Sequence, residues 1–384
     1  MPWMEIGKVE LRRLFVGQVK RGAKMSESCS KFGISRTCGY KWLGRYEQEG
    51  ESGLRDRSRR PRSSPNRTRA EVVEEIVRQR EQHPSWGSLK LNELLRREGI
   101  QAPSERTTDR VLSRGGMIEK RAKAETDWQR FERSSPNQLW QIDYKSPVYG
   151  LYGARRVPLT VEDDCSRYLL GLWSLPDKTF GTSWPYFWDL FGGFGLPDCI
   201  LSDNDPALGG GDSPSKFEVR LMRLGVEVIH GRAYHPQTQG KVERLHGTIQ
   251  LDFLQGYRGT DLSDLQAGFD RFRQEYNLVR PHQALSLKVP GDLYRPSFRP
   301  RPKDLPEMEY PEGSQLRKVD VNGHILWHGR KLDIGNGVIK EWVEVRSDLE
   351  NSDRLRIYYG SYLLMEIDEY GNKKRLRHCR REEK

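Results

Sequence analysis

The chain contains 384 residues, with 65 Lys and Arg against 54 Asp and Glu and a formal net charge of +11. Residues 1–136 hold 30 Lys and Arg against 19 Asp and Glu, whereas the rest of the chain holds 35 of each, so the basic excess is N-terminal. This distribution favours a nucleic-acid partner, and the lack of a long apolar stretch or a secretory signal leads us to expect neither a membrane protein nor a secreted one.

Residues 1–54 are predicted to form a first helix-turn-helix domain. Apolar residues at helical spacing run from Val9 to Val19, a short second helix ends at Gly33, and Ser35 can cap a third helix. The exposed side of this third helix is a candidate for reading a DNA major groove. Its candidate DNA-binding residues are Arg36, Thr37, Lys41 and Arg45. A small helical bundle with a solvated basic face has the same pattern.

A second helix-turn-helix domain is predicted over residues 69–118, where Ser104 can cap a recognition-like helix. Its candidate DNA-binding residues are Arg106, Thr107 and Arg110. Residues 55–68 between the two domains are basic and broken by proline, so arginines there can enter a narrow minor groove, although a flexible linker has the same composition. The arginines concerned are Arg57, Arg59, Arg60 and Arg62.

A linker over residues 119–136 leads to an α/β pattern over residues 137–295. Strands and helices alternate there in an order that can gather side chains at one edge of a sheet. The predicted elements are a strand through Asp143, strands over 156–160 and 168–174, a helix over 183–191, a strand ending before Asp203, a helix over 217–224, a strand over 226–229 and a helix carrying Glu243.

Three acids in this region predict a two-metal site. Asp143 lies inside an apolar strand, Asp203 follows a buried strand, and Glu243 lies on an amphipathic helix. A buried carboxylate is costly unless it is paired, and oxygen ligands of this kind suit hard divalent cations. Taken one at a time, such acids are more often caps, turn formers or solvated residues, and Asp163, Asp164 and Asp205 are interpreted as turn residues.

Several motifs resemble a known family. Trp140–Asp143, Leu201–Asp205 and His235–Arg244 are similar to the integrase-core motifs of bacterial insertion-sequence transposases with a DDE triad, a group related to retroviral integrases. Tyr276–Leu285 resembles the segment that follows this core in the same family.

The resemblance implies a ribonuclease-H-like core, two Mg²⁺ or Mn²⁺ ions, and cutting and joining of DNA strands at transposon ends. Asp143 then bridges both ions, while Asp203 and Glu243 each hold one, first for attack by water and then for attack by a 3′-hydroxyl on target DNA. The implied partners are terminal inverted repeats, target DNA and a second or further copy of the chain, with no membrane.

The chain departs from the family pattern in two places. The 40 positions from Asp203 to Glu243 are slightly more than is usual, and the glycine-rich stretch 209–215 can absorb the excess as a loop. A basic residue that the family tends to carry after the glutamate is replaced here by Gln250, with His246 one turn earlier. The candidate DNA-binding residues on this helix are Lys241, Arg244, His246 and Gln250.

Two alternative functions remain. The chain could be a catalytically inactive, domesticated transposase that acts as a site-specific DNA-binding regulator, which the presence of all three acids disfavours. It could also be a ribonuclease-H-like nuclease that acts on RNA-containing duplexes, which the paired helix-turn-helix domains disfavour.

Residues 296–384 are predicted to form a small β-barrel with a basic tail, either as an aid to DNA binding and assembly or as a folded cap. Asn-Gly turns separate its strands, which are expected at 319–324, 325–332, 338–345, 354–359 and 362–367. Five cysteines without zinc-like spacing predict neither zinc nor disulfides, and so a reducing compartment. We therefore expect a cytoplasmic, nucleoid-associated multidomain protein: N-terminal all-α units, an α/β ribonuclease-H-like core and a small β-barrel.

Overall fold

The computed structural model describes residues 7–58, 67–118, 132–150, 154–203, 205–209, 211, 213–230, 240–259, 262–347, 354–368, 372–375 and 378–379. The chain divides into two compact units, Met1–Arg67 and Thr68–Lys384. Arg59, Arg60 and Arg62 of the predicted basic arm lie outside the described residues, as do residues 119–131 of the predicted linker and residues 235–239 of the motif before Glu243.

The first unit is helical, which confirms the prediction from its apolar spacing. Its helices are α1 (Lys8–Lys20), α2 (Met25–Lys31) and α3 (Arg36–Glu49). The Ser35 hydroxyl accepts a hydrogen bond from the Cys38 backbone N–H at 3.2 Å, so α3 begins with the predicted cap. Phe15, Trp42 and Leu54 form the centre of its core.

The second unit begins with three more helices, α4 (Ala70–Gln82), α5 (Ser88–Arg97) and α6 (Glu105–Arg114). Ser104 caps α6 by accepting a hydrogen bond from the Thr107 N–H at 3.3 Å. The buried Asn92 and Thr108 side chains join α5 to α6 through a 2.7 Å hydrogen bond, and Trp86 is buried between the helices. The orientation of α6 is therefore fixed by α5.

A mixed sheet forms the centre of the second unit. Its strands are β1 (Trp140–Tyr144), β2 (Val148–Tyr149), β3 (Arg155–Asp163), β4 (Leu169–Leu175), β5 (Cys199–Ser202) and β6 (Glu227–His230). β3 pairs antiparallel with β1, β2 and β4, while β1 pairs parallel with β5, and β5 with β6. This order confirms the predicted mixture of strands and helices.

Helices cover both faces of this sheet because alternate side chains point to opposite faces. One face packs on α7 (Phe180–Phe194) and α8 (Lys216–Arg223), around Phe187 and Phe217. The other face packs on α9 (Gly240–Ile249) and α10 (Leu265–Leu278). A short π-helical stretch, Gln250–Leu254, follows α9, and the four-residue helix α11 (Pro290–Leu293) follows α10.

The C-terminal region consists of strands, as predicted, but the described strands do not close into a barrel. Five form an open sheet in the order β13 (Lys373–Arg375), β12 (Tyr362–Ile367), β11 (Leu355–Tyr359), β10 (Trp342–Ser347) and β7 (Leu316–Lys318). A separate hairpin contains β8 (His324–Trp327) and β9 (Arg330–Asp333). The strand β14 (His378–Cys379) instead pairs with β6 of the central sheet.

Three of the predicted C-terminal strands were wrong in their limits. Residues 325–332 form a hairpin instead of one strand, because His328 and Gly329 both have positive φ and make the tight turn. Of the predicted strand 319–324, only His324 lies in a strand, β8. Of the predicted strand 338–345, only the residues from Trp342 onward lie in a strand, β10. The prediction located the turns at the Asn-Gly pairs and overlooked the His-Gly pair. Within the described ranges, the helices lack the length and apolar character of a membrane span.

Two glycines of α3 provide a matched test of the first unit. A Cβ on Gly39 would lie 2.6 Å from the Cys29 sulfur and 2.9 Å from the Phe15 ring, whereas a Cβ on Gly44 would meet nothing within 4 Å. We predict that Gly39→Ala lowers the free energy of unfolding of this unit by about 1–2 kcal/mol. Gly44→Ala raises it by about 0.5–1 kcal/mol, because alanine is the better helix former.

Hydrogen exchange of the α3 amides in the full chain measures both changes. A stabilising Gly39→Ala substitution would show that α3 does not pack against α1 and α2 as described.

Candidate active site

The pairing of two strands brings Asp143 and Asp203 together. Parallel β1 and β5 are in register at Ile142 and Ser202, so the next positions are Asp143 of β1 and Asp203, the first residue after β5. Alternation of side chains directs both toward the face that α9 covers, because Ile142 belongs to the core on the opposite face. The structure therefore groups two of the three predicted acids at the carboxyl ends of neighbouring parallel strands.

Burial and neighbouring charges perturb both acids. Burial, followed by the charge of Asp203, raises the pKa of Asp143 to about 7. Burial also raises the pKa of Asp203; the hydrogen bond from the Asp205 N–H opposes this effect, and the charge of Asp205 adds to it. Two carboxylates without a cation between them resist ionisation, which is the electrostatic signature of a site that favours positive charge.

One lysine already lies close to these acids. The Lys178 ammonium is 2.7 Å from Asp205 and 5.1 Å from the centre of the Tyr144 ring, and its charge lowers the pKa of both Asp143 and Asp203 against the larger effect of burial. The Asp205 N–H donates to the Asp203 carboxylate at 3.0 Å, and the Asp205 carboxylate accepts from the Ala207 N–H. Asp205 is thus a turn residue, as predicted, and it also holds the lysine.

His246 of α9 faces Asp143. Its Nδ1 lies 3.7 Å from the Asp143 carboxylate, and its Nε2 lies 2.9 Å from the Thr160 hydroxyl. Because that hydroxyl donates to the Asp143 carbonyl at 3.0 Å, Nε2 must carry the proton and Nδ1 must present its lone pair toward Asp143. Burial lowers the pKa of His246 to about 4, which keeps the ring neutral.

Glu243, the third predicted acid, is exposed on α9. It precedes His246 by three positions, so the two side chains lie one above the other on the same flank of the helix. Among the described residues, no group of three or more His, Cys, Asp or Glu side chains is arranged to hold a metal ion. The structure therefore brings Asp143 and Asp203 together but does not bring Glu243 to them.

Two other residues predicted to contact DNA from α9 have partners inside the protein. The Lys241 ammonium lies 2.6 Å from the Asp164 carboxylate, which is fully buried and also accepts from the Gln141 amide. Gln250 is exposed, and its amide oxygen accepts from the Lys145 ammonium at 2.9 Å. Of the four predicted residues on α9 and the stretch after it, only Arg244 is exposed without a side-chain contact in the described part of the chain.

The predicted recognition helices present most of their candidate residues to solvent. Arg36, Thr37 and Lys41 are exposed on α3, while Arg45 is half-buried with its guanidinium 5.0 Å from the Trp42 ring. Arg57, beyond α3, forms an ion pair with Glu49. On α6, Arg106 and Arg110 are exposed, whereas the Thr107 hydroxyl lies 2.9 Å from the capping Ser104 hydroxyl.

Sequence reasoning missed two residues near the acids and one exposed residue on α3. Lys178 lies in the turn before α7 and carries no motif, so nothing in the sequence links it to the acids. Thr160 was placed only in a strand, although its alternation with the β3 core residues puts it on the α9 face. Tyr40 was treated as an apolar residue of α3, yet it is 61% exposed beside Arg36 and Thr37.

A cavity of about 690 Å³ opens next to Lys178. Its walls come from the start of α7, from the turn after β5 and from the C-terminal hairpin, including His324 and Asp333. The C-terminal region therefore contributes to the surface beside Lys178.

Three family models match the chain. A helix-turn-helix domain matches residues 11–62, a homeodomain-like domain matches residues 38–112, and an integrase core domain matches residues 224–290. The last range contains Glu243 and the Tyr276–Leu285 segment, whereas Asp143 and Asp203 precede it.

Two curated proteins and two solved structures are similar to the chain. The insertion element IS407 uncharacterized 31.7 kDa protein of Burkholderia multivorans is 23% identical over 237 residues, which are 60% of this chain and 83% of that protein. The Pol polyprotein of radiation murine leukemia virus is 29% identical over 115 residues, which are 30% of this chain and 19% of the polyprotein.

The HTLV-2 integrase catalytic core domain in complex with magnesium, in its trimeric form, has a TM-score of 0.34 at 20% identity, covering 42% of this chain and 99% of that one. A chain of the simian T-cell lymphotropic virus intasome has a TM-score of 0.37 at 13% identity, covering 76% of this chain and 92% of that one. The chain therefore contains a match to an integrase core domain over residues 224–290 and matches to helix-turn-helix domains in its N-terminal part.

Proposed function

We propose that this protein is a transposase that binds the ends of an insertion element and catalyses metal-dependent cleavage and transfer of DNA strands. The observation that carries the proposal is the Asp143–Asp203 pair at the carboxyl ends of two parallel strands. The integrase-core family consists generally of polynucleotidyl transferases, and a similar protein comes from an insertion element. We assign a ribonuclease-H-like core to residues 137–295 on the same grounds.

The residues at this edge fit a divalent cation. Asp143 and Asp203 offer hard oxygen donors, and their mutual repulsion is relieved when a cation lies between them. A bound pair of Mg²⁺ or Mn²⁺ ions supplies activation of the attacking hydroxyl and stabilisation of the leaving oxygen. The neutral state of His246 supports cation binding, because an uncharged ring beside Asp143 adds no positive charge that would repel the cation.

Glu243 completes the ligand set in this proposal. It lies one helical turn before His246 on the same flank, and Cβ atoms at this spacing are about 5–6 Å apart. Since His246 already reaches to 3.7 Å from Asp143, the neighbouring glutamate needs a change of its side-chain rotamer and a small shift of the start of α9. We propose that DNA and metal together draw Glu243 inward.

DNA binding is assigned to the two helical regions and to α9. The exposed basic residues there offer phosphate and base contacts. They are Arg36, Lys41, Arg106, Arg110 and Arg244. The proposed partners are the terminal inverted repeats and target DNA, and both ends are processed by a dimer or higher oligomer of this chain.

Amide substitutions of the three acids test the catalytic assignment. We predict that Asp143→Asn, Asp203→Asn and Glu243→Gln each lower strand cleavage and strand transfer by at least about 1000-fold, because each removes a ligand charge that the transition state requires. Binding of labelled end DNA should stay within about twofold, since the DNA-reading helices are untouched.

Asp189→Asn is the matched control, because it neutralises an exposed acid of α7 and should leave both steps at the wild-type rate. Cleavage and transfer are scored separately on labelled transposon-end DNA with Mg²⁺. Strand transfer by all three amide variants at the wild-type rate would refute the proposal.

The pKa of Asp143 predicts a stability effect that is independent of activity. A carboxyl whose pKa is raised from 3.8 to about 7 in the fold stabilises it fully below pH 4 and loses this contribution as the pH rises through 7. In EDTA, Asp143→Asn should therefore exceed the wild type in free energy of unfolding by about 1–2 kcal/mol at pH 8. Chemical denaturation across pH 4–8 measures the difference, which should grow with pH.

Added Mg²⁺ should stabilise the wild type at pH 8 and leave Asp143→Asn unchanged. An equal response of both proteins to Mg²⁺ would place the ion elsewhere.

A further inference from the structure

The Tyr276–Leu285 segment has no role in the mechanism described above, although it is one of the motifs that resembles the transposase family. It begins in the last turn of α10 and continues beyond it, at the place where the α4–α6 helices meet the central domain. The Tyr276 hydroxyl donates to the buried Glu162 of β3 at 3.1 Å, and the Asn277 side chain bonds both backbone groups of Leu169 on β4. These contacts anchor the start of the segment to the sheet.

Arg280 lies at the centre of the segment and is 8% exposed. Its guanidinium forms an ion pair with Asp252, in the π-helical stretch that continues α9, and lies 5.7 Å from the ring of Trp86. The same Asp252 accepts a hydrogen bond from the Ser85 hydroxyl, which precedes α5. One arginine therefore links the helix that carries Glu243 to the helical region that carries α6.

Contacts around Arg280 reinforce this link. His83 stacks on Trp86 with ring centres 3.9 Å apart, and its Nδ1 lies 2.9 Å from the carboxylate of Glu275 on α10. On the far side of α5, the Arg97 guanidinium donates to the Leu287 carbonyl at 2.7 Å. The junction is thus held at two separated points, which fixes an orientation as well as a distance.

We propose that Tyr276–Leu285 is the docking site that fixes the second helix-turn-helix region against the catalytic helix, with Arg280 as the positioning residue. Because α6 is joined to α5 by the buried Asn92–Thr108 hydrogen bond, the junction sets the distance from the α6 arginines to the acidic edge. DNA held by α6 then reaches Asp143 and Asp203 with one phosphodiester in place. This consequence for cleavage rests on the proposed function, whereas the docking itself does not.

The test measures docking and cleavage separately in the full-length protein. Arg280→Ala removes the central contact, and Arg280→Lys keeps the charge but loses the planar guanidinium over Trp86. The double variant His83→Ala, Ser85→Ala weakens the same junction from the other side without touching the central domain. Arg271→Ala, which removes an exposed arginine from α10, is the matched control.

Hydrogen exchange reports docking. We expect Arg280→Ala and the double variant to raise exchange of the α5 amides about tenfold, the size of effect that loss of a buried charged hydrogen bond produces. Amides of β1 and β3 should stay protected, Arg280→Lys should give an intermediate change, and Arg271→Ala should give none. If Arg280→Ala also raises exchange in the central sheet, the double variant becomes the test of docking. Protection of the α5 amides at the wild-type level in the double variant would overturn the proposal.

The position of the nick on labelled end DNA reports positioning. If Arg280 only stabilised the fold, its substitution would change the amount of nicked product and not the nick position. If Arg280 positions the DNA, its substitution should spread the nicks over neighbouring phosphodiesters and lower the fraction at the wild-type position about fivefold. The positioning role is overturned if Arg280→Ala and the double variant both raise exchange of the α5 amides and yet both nick the DNA at the wild-type position. If the wild-type protein nicks no end DNA while α5 responds as expected, the proposed function fails and the docking stands.

Discussion

The candidate site depends on the parallel pairing of β1 with β5. This pairing aligns Asp143 with Asp203, and the pleat of the strands directs both side chains to the α9 face. A register shift of one residue would turn one acid toward the apolar core around Phe187 and leave the other without a partner. Both strands bury apolar side chains in the core of the central sheet. The hydrophobic pattern therefore fixes the register of the strands and, with it, the distance between the two carboxylates.

The structure pairs some of its buried acids with cations and leaves others without an ion pair. Asp164 is fully buried but paired with Lys241, and Asp252 is paired with Arg280. Asp143 and Asp203 instead lie at the ends of neighbouring strands, and the Lys178 ammonium, whose charge lowers the pKa of both, bonds Asp205. Burial raises the pKa of this pair, as it also raises the pKa of Glu162 and Asp163 on β3, and the pair differs in lying together at the carboxyl ends of two parallel strands. Such a cost to stability is common where a protein must bind a cation.

Sequence reasoning predicted the elements well where the local signals agree. Ser35 and Ser104 cap helices as expected, and the apolar runs before Asp143 and Asp203 are strands of one sheet. Local patterns could not show which side of α9 faces the sheet at each position, because Lys241, Glu243 and His246 are all polar. Tertiary packing directs Lys241 and His246 inward and leaves Glu243 exposed.

The C-terminal region shows the same limit in another form. Its alternating segments predicted strands, but closure into a barrel depends on long-range pairing that no local pattern contains. The tight turn at His328–Gly329 divided one predicted strand into two, and β14 left the region to pair with the central sheet. The role of Arg280 was likewise invisible, because its two partners, Trp86 and Asp252, lie far from it in sequence.

The central claim is that Asp143, Asp203 and Glu243 gather around divalent cations when DNA is bound. The most direct measurement is a crystal structure of the protein with end DNA and Mn²⁺, located by its anomalous scattering. The account predicts two Mn²⁺ peaks about 4 Å apart, with Asp143 between them and Glu243 turned inward to ligate one. The account is contradicted if no Mn²⁺ peak appears at Asp143 and Asp203. It is also contradicted if Mn²⁺ occupies the site while Glu243 stays exposed to solvent.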